Sequence, residues 1–243
     1  MLKEISNENI LFLDIETVPQ YPSYNESPEI HRQLWSEKAA HLKADDKTPE
    51  ELYNRAGIYA EFGKIVCISA GFFAGKQPGK LRIRSYYGHD EKKLISEFFT
   101  MLRSHFNGKN QYLCAHNGKE FDFPFICRRA VINRLEIPDI LNIQGKKPWE
   151  TLHLDTMELW KFGDYKHYTS LKLLAAIFGI PSPKDDIAGD QVYSVYYNEK
   201  DLKRIAVYCE KDVLTVAQLL LCYKFQPLLD SQNIEFCLSE EIK

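Results

Sequence analysis

Apolar runs and amphipathic stretches alternate along the chain in the order strand, strand, strand, helix, strand, helices. Residues 10–15 (ILFLDI) form a short, nearly continuous apolar run, the pattern of a buried strand. KIVCISAGFF at 64–73 and KLRIRSYYG at 80–88 follow, and the linker GKQPG between them predicts a hairpin. Over 90–106 the apolar positions Leu94, Ile95, Phe98, Phe99, Met101 and Leu102 repeat at helical spacing behind Asp90, a candidate N-cap. QYLCAHN at 111–117 reads as the next strand and 122–134 as another helix. Further on, Asp155 and Glu158 stand at capping-box spacing, with Asp in place of the usual Ser or Thr. Ser170 opens a helix to Phe178 that Gly179 and Pro181 stop, and 200–223 reads as a long final helix. Residues 230–243 read as a polar tail.

Residues 17–62 separate the first two strands and read as a helical insertion. HRQLWSEKAAHL at 31–42 has a helical pattern, and Thr48, Pro49 and Glu51 form a capping box that starts a second helix over 49–59. There is no internal repeat. The order of elements implies an α/β domain, a mixed sheet covered by helices, spanning 1–243.

Composition narrows the class. Hydrophobic residues make up 44% of the chain, enough for a sizeable core, which excludes a disordered protein. The net charge of −3 excludes a strongly basic nucleic-acid coat. It leaves open a nucleic-acid enzyme whose acids are offset by bound cations. The six cysteines form no CxxC pair, so a zinc knuckle or redox motif is not expected; most sit in apolar runs as small buried thiols. Neither a signal peptide nor a run of ~20 apolar residues is present. The expectation is a cytoplasmic protein with no membrane association.

Candidate chemistry lies in three acidic segments: LFLDIET with Asp14 and Glu16, HNGKEFDFPFI with Asp122, and YCEKDV with Tyr208 and Asp212. In a strand, residues i and i+2 point to one face ~7 Å apart, so Asp14 and Glu16 project together. Asp122 follows a predicted strand, where an acid serves either as a helix N-cap or as a site residue. Asn117 suits a turn or a nucleotide contact. Tyr208 and Asp212 are four apart and share a helix face. Two carboxylates ~5 Å apart repel by roughly 3 kcal/mol at an effective dielectric of 20. If these four acids share one cleft, some are protonated or divalent ions bind, and an all-oxygen set favours Mg2+ or Mn2+.

These segments resemble the three exonuclease motifs of the DEDD 3′–5′ exonucleases, the DnaQ-like superfamily. The second has the N-x4-FD-x-P shape found in the proofreading exonuclease domains of family B DNA polymerases, and GKIVCISAGFF is similar to the strand after their first motif. The similarity covers most of residues 10–225, and with no polymerase domain in the sequence it points to a stand-alone relative. The resemblance implies a ribonuclease H-like fold with a mixed five-stranded sheet flanked by helices. It further implies two Mg2+ (or Mn2+) ions and hydrolysis from the 3′ end of single-stranded DNA, with RNA as the alternative substrate. On this resemblance Asp14 bridges both ions, Glu16 and Asp212 complete the ion that activates water, Asp122 serves the ion facing the leaving oxygen, and Tyr208 orients the water. Tyr208 lies four before Asp212, as in the tyrosine (DEDDy) branch; the place the histidine branch uses is Val207.

Thr17, Asn117 and Phe121 are candidate substrate contacts. Lys146, Lys147, Lys161, Lys166 and His167 are candidate phosphate contacts that read equally as solvated surface cations. Asp155 reads as a helix cap rather than a further metal ligand. The alternative of another class is a non-catalytic nucleic-acid-binding module, whose signature is loss of a motif acid, and every motif acid is present.

Overall fold

The computed structural model describes residues 2–42, 47–75, 79–164, 168–181, 187–237 and 240–242. The middle of the GKQPG linker, and Lys166 and His167, lie outside them. The elements in chain order are β1 (Ile10–Pro19), α1 (Glu29–Ala39), β2 (Gly63–Ala74), β3 (Lys80–Gly88), α2 (Glu91–His105), β4 (Tyr112–Ala115), α3 (Asp122–Ile132) and β5 (Leu154–Asp155). Then come α4 (Thr156–Lys161), α5 (Leu171–Ile177), α6 (Val192–Ser194) with a π-helical turn behind it, α7 (Leu202–Tyr223), β6 (Ile234–Phe236) and β7 (Glu241–Ile242).

The sheet order is β5-β4-β1-β2-β3-β6, with β7 also on β3. β1, β2 and β3 form an antiparallel meander, while β4 and β5 run parallel to β1. The sheet is mixed, as the resemblance implies, but it has seven strands rather than five, because β6 and β7 add to the β3 edge of the β5-β4-β1-β2-β3 core. Alternation along β1 divides the core. Leu11, Leu13 and Ile15 pack with α2 and α3 on one face, and Ile10 and Phe12 pack with α7 on the other. α7 lies close against the strands: a Cβ at Gly71 would meet Val213 Cγ1 at 2.9 Å and Ile83 Cγ1 at 3.1 Å, so glycine is required for this approach.

Three boundaries differ from the sequence reading. β1 continues past Ile15 to Pro19, because its antiparallel pairing with β2 persists to Gly63, so the insertion starts later than residue 17. The capping box over Thr48 and Glu51 forms, but a six-residue 3-10 helix (Tyr53–Ile58) replaces the expected second α-helix. The Trp35 indole takes the Pro49 carbonyl at 2.7 Å, and Tyr53 N–H turns to the Glu50 carbonyl instead. The tail expected to be polar adds β6 and β7 to β3. Its apolar residues cap an open sheet edge, and Ile242 is buried in the main core.

A buried ion pair clamps these layers. Arg129 on α3 donates twice to the Glu91 carboxylate at 2.8 and 2.6 Å, and once to the Ala60 carbonyl at 2.8 Å. Glu91 also accepts from Ile65 N–H of β2 at 2.7 Å and from Asn133 at 2.8 Å. Arg129→Ala leaves that carboxylate buried without its cation. The expected loss is about 3–5 kcal/mol of unfolding free energy, read by denaturant titration.

Candidate active site

Asp14 and Glu16 continue the parity of Ile10 and Phe12, so both face α7. The pairing of β1 with β2 shifts register between Glu16 and Thr17, an irregularity that re-aims side chains at a strand end. On its other edge β1 pairs with β4 only from Ile10 to Phe12. Past that point the Ile15 N–H is open, and the Asp122 carboxylate accepts it at 3.2 Å. Asp122 is therefore not the N-cap of α3 but its first helical residue, after Phe121.

The segment before Asp122 is held by Asp155. That carboxylate caps α4 by accepting from Met157 and Glu158 N–H, and also accepts from Asn117 N–H at 3.0 Å and Lys119 N–H at 3.1 Å. Its role is structural, in line with the helix-cap reading. Asn117 adopts φ +64°, a left-handed conformation that Asn tolerates. At the next position a Cβ on Gly118 would lie 2.4 Å from that of Ala115. The Asn117 Oδ1 is buried with no hydrogen-bond partner among the described residues. Such an orphaned acceptor is costly and marks a place for a donor.

From α7, half-buried Tyr208 hydrogen-bonds to Asp212, and Cys209 Sγ contacts Asp14 Oδ2 and the Asp14 carbonyl, each at 3.3 Å. Val207 is exposed. Asp14, Glu16 and Cys209 offer ligand atoms within 4.8 Å of one another, a group able to hold a metal ion.

Electrostatics tie the three segments together. Burial pushes the Asp14 carboxyl well above its ordinary range, and the charges of Glu16, Asp212 and Asp122 push it further. Burial, then Asp212, raises Glu16 in the same way. Asp122 is raised to about 8, chiefly by burial; its hydrogen bonds from Ile15 and its own N–H offset part of this. Tyr208 is raised far above the usual phenol range by burial, then by Asp212, Glu16 and Asp14. Among the described residues no ion pair engages Asp14, Glu16 or Asp122. Glu16 is 8% exposed, and no hydrogen-bond donor among the described residues reaches its carboxylate.

The other candidates are more scattered. Thr17 is half-buried on β1, and Phe121 packs at 5.4 Å on Phe125 at the start of α3. Lys146 and Lys147 are exposed, with Lys147 over the Trp149 ring, and Lys161 ends α4. Two neighbours escaped the sequence reading. Cys209 sits inside the acidic segment YCEKD, where the helical spacing of Tyr208 and Asp212 drew attention away from it. Tyr168 is largely exposed, yet its phenol is raised by burial and by the charges of Asp122 and Asp155; no local pattern marks it.

Comparison with known proteins places this geometry. The family B DNA polymerase from the hyperthermophilic archaeon Pyrobaculum calidifontis is similar at TM-score 0.49 and 16% identity, over 87% of this chain and 24% of the polymerase. The chain thus spans about a quarter of that polymerase's length. Among the described residues no helix is long and apolar enough to cross a membrane. A family described as "predicted 3'-5' exonuclease related to the exonuclease domain of PolB" matches residues 58–237, a span that begins after Asp14 and Glu16 and contains Asn117, Asp122, Tyr208 and Asp212. The chain belongs to this family of predicted 3'-5' exonucleases related to the exonuclease domain of PolB.

Proposed function

We propose that this chain is a divalent-metal-dependent 3′–5′ exonuclease that hydrolyses phosphodiester bonds from the 3′ end of single-stranded DNA. The observation that carries the reading is the buried Glu16 carboxylate, without a hydrogen-bond donor, beside Asp14, Asp122 and Asp212. Each raises another's proton affinity, and no cationic side chain relieves Asp14, Glu16 or Asp122. An anion cluster of this kind fits hard divalent cations such as Mg2+ or Mn2+, which prefer oxygen ligands.

In this reading Asp14 would serve both ions, Glu16 and Asp212 would hold one with it, and Asp122 would hold the other. Two such ions, when bound, stabilise the attacking and leaving oxygens of an in-line displacement. Burial, then the charges of Asp212, Glu16 and Asp14, favour the protonated form of Tyr208, and in this reading its hydroxyl orients the attacking water by hydrogen bonding. Asp122, tied to Ile15 N–H, fixes the distance between the second segment and β1. Asn117 Oδ1 would accept from the terminal nucleotide, and Thr17 and Phe121 are the further candidate contacts. The Tyr168 phenol, raised by burial and then by the charges of Asp122 and Asp155, is a further candidate contact.

Asp14→Ala and Asp212→Ala are each expected to lower 3′-terminal release by ~10²-fold or more, with far-ultraviolet circular dichroism unchanged. Tyr208→Phe is expected to cost about 10²-fold. The assay is a labelled single-stranded DNA and its RNA counterpart with Mg2+ or Mn2+, read at nucleotide resolution. Stepwise shortening of DNA from the 3′ terminus supports the reading. Internal cuts, or no digestion with either ion, sink it, and digestion of RNA alone reassigns the substrate.

The same cluster sets the pH dependence of the metal-free fold. Asp122 binds its proton with a pKa of about 8 when folded, against roughly 4 when unfolded. Between these values the folded state holds more protons, so its stability falls as pH rises. In chelator the melting temperature should fall from pH ~5 to pH ~8. Asp122→Asn, which keeps an acceptor for Ile15 N–H, should flatten that slope, and Mg2+ or Mn2+ should raise the melting temperature most at the alkaline end. A wild-type slope of opposite sign, or one unaltered by Asp122→Asn, contradicts the assignment.

A further inference from the structure

Hard-ion chemistry has no use for a thiol, yet Cys209 stands within the carboxylate group. It is fully buried on α7, and its Sγ lies 3.3 Å from Asp14 Oδ2. A tetrahedral ion with metal–sulfur and metal–oxygen bonds of ~2.3 and ~2.0 Å needs a sulfur–oxygen edge of about 3.5 Å. The observed spacing is close to that edge before any ion binds. Glu16 supplies an independent pointer to a cation: a carboxylate more than nine-tenths buried, facing Asp14 and receiving no hydrogen bond among the described residues. All three ligand atoms lie within 4.8 Å of one another. Cys67, opposite Glu16 in the β1–β2 register, hydrogen-bonds to Cys209 without belonging to that group.

We propose that Asp14, Glu16 and Cys209 form a mixed oxygen–sulfur site that captures a thiophilic divalent cation, Zn2+ or Cd2+, and that this capture inhibits the enzyme by occupying carboxylates its hard ions need. The inhibitory part rests on the exonuclease reading above. Capture forms a bond from Sγ to the ion and releases the thiol proton to solvent; no electron is transferred. Mg2+ gains nothing from sulfur, whereas Zn2+ and Cd2+ do, so the thiol discriminates between the two classes of ion. With three protein ligands the site leaves a fourth position for water, the coordination pattern of an open zinc site.

The test titrates Cd2+ into chelator-stripped full-length protein and follows the ultraviolet thiolate-to-cadmium charge-transfer band. The first equivalent should produce the band in wild type and in Cys67→Ser, but not in Cys209→Ser or Cys209→Ala. In parallel, Zn2+ is titrated against Mg2+-dependent digestion. The half-inhibitory Zn2+ concentration, referred to each protein's own uninhibited rate, should rise roughly tenfold or more in Cys209→Ser. A first-equivalent band that persists in Cys209→Ser overturns the site, as does an unchanged half-inhibitory concentration. Digestion with no band in wild type overturns the ion site alone. A band with no digestion overturns the inhibitory role together with the exonuclease reading.

Discussion

Glu16, Asp14 and Asp122 sit on a floor built from apolar strand and helix; burial raises all three, Asp212 raises each of them further, and Glu16 and Asp122 add to Asp14. Two such charges ~5 Å apart cost roughly 3 kcal/mol at an effective dielectric of 20, and burial adds to that cost. Among the described residues no ion pair reaches these three carboxyls. Where this fold does need to bury a charge for stability, it does so differently: Glu91 receives two bonds from Arg129, one from Asn133 and one from a backbone N–H. The two acidic sites in one core therefore follow opposite rules. One is satisfied by partners within the chain, and the other meets no such partner among the described residues.

Holding acids together against their repulsion requires a scaffold that does not relax. The early end of β1–β4 pairing frees the Ile15 N–H, and Asp122 locks onto it, so the second segment cannot drift from the first. Asp155 fixes the approach to Asp122 with four backbone hydrogen bonds divided between the Asn117 turn and α4. α7 contributes the third segment and buries Ile205, Val213, Val216 and Leu220 against the sheet. Each fully buried aliphatic side chain is worth about 1.5–3 kcal/mol, so this helix alone can offset one strained carboxylate pair. The layer on the opposite face, from α2 and α3, holds β1 from behind.

The sequence carried the parts of this design that repeat or that sit at fixed spacing. The period of two along ILFLDIE aimed Asp14 and Glu16 to one face, and the period near four joined Tyr208 to Asp212; both relations hold in the structure. Helices α2 and α7 were legible from periodic apolar residues; Asp90 accepts the expected backbone N–H, and Asp201, which the sequence reading did not single out, caps α7 in the same way. What local pattern could not carry was tertiary competition. The Trp35 indole claims the Pro49 carbonyl from 14 residues away and shortens a helix whose capping box was sound. The tail looked polar because β6 and β7 are three and two residues long, and their pairing with β3 is a long-range event. Asp122 was ambiguous between cap and site because its partner, Ile15 N–H, lies 107 positions away. Cys209 was read only as a buried thiol, since nothing in the spelling YCEKD states which way its side chain turns.

The carboxylate field also decides what Tyr208 can be. A phenol in water has a pKa near 10 and would offer a weak base. Beside Asp212, Glu16 and Asp14 it is held far above that, so its proton is retained and directed at a carboxylate. A phenol that keeps its proton still donates one hydrogen bond and accepts another, and here it bonds to Asp212. Burial and the neighbouring acids act on Tyr208 and on the carboxyls of Asp14 and Glu16 in the same direction, so the raised phenol and the raised carboxyls are two consequences of one arrangement.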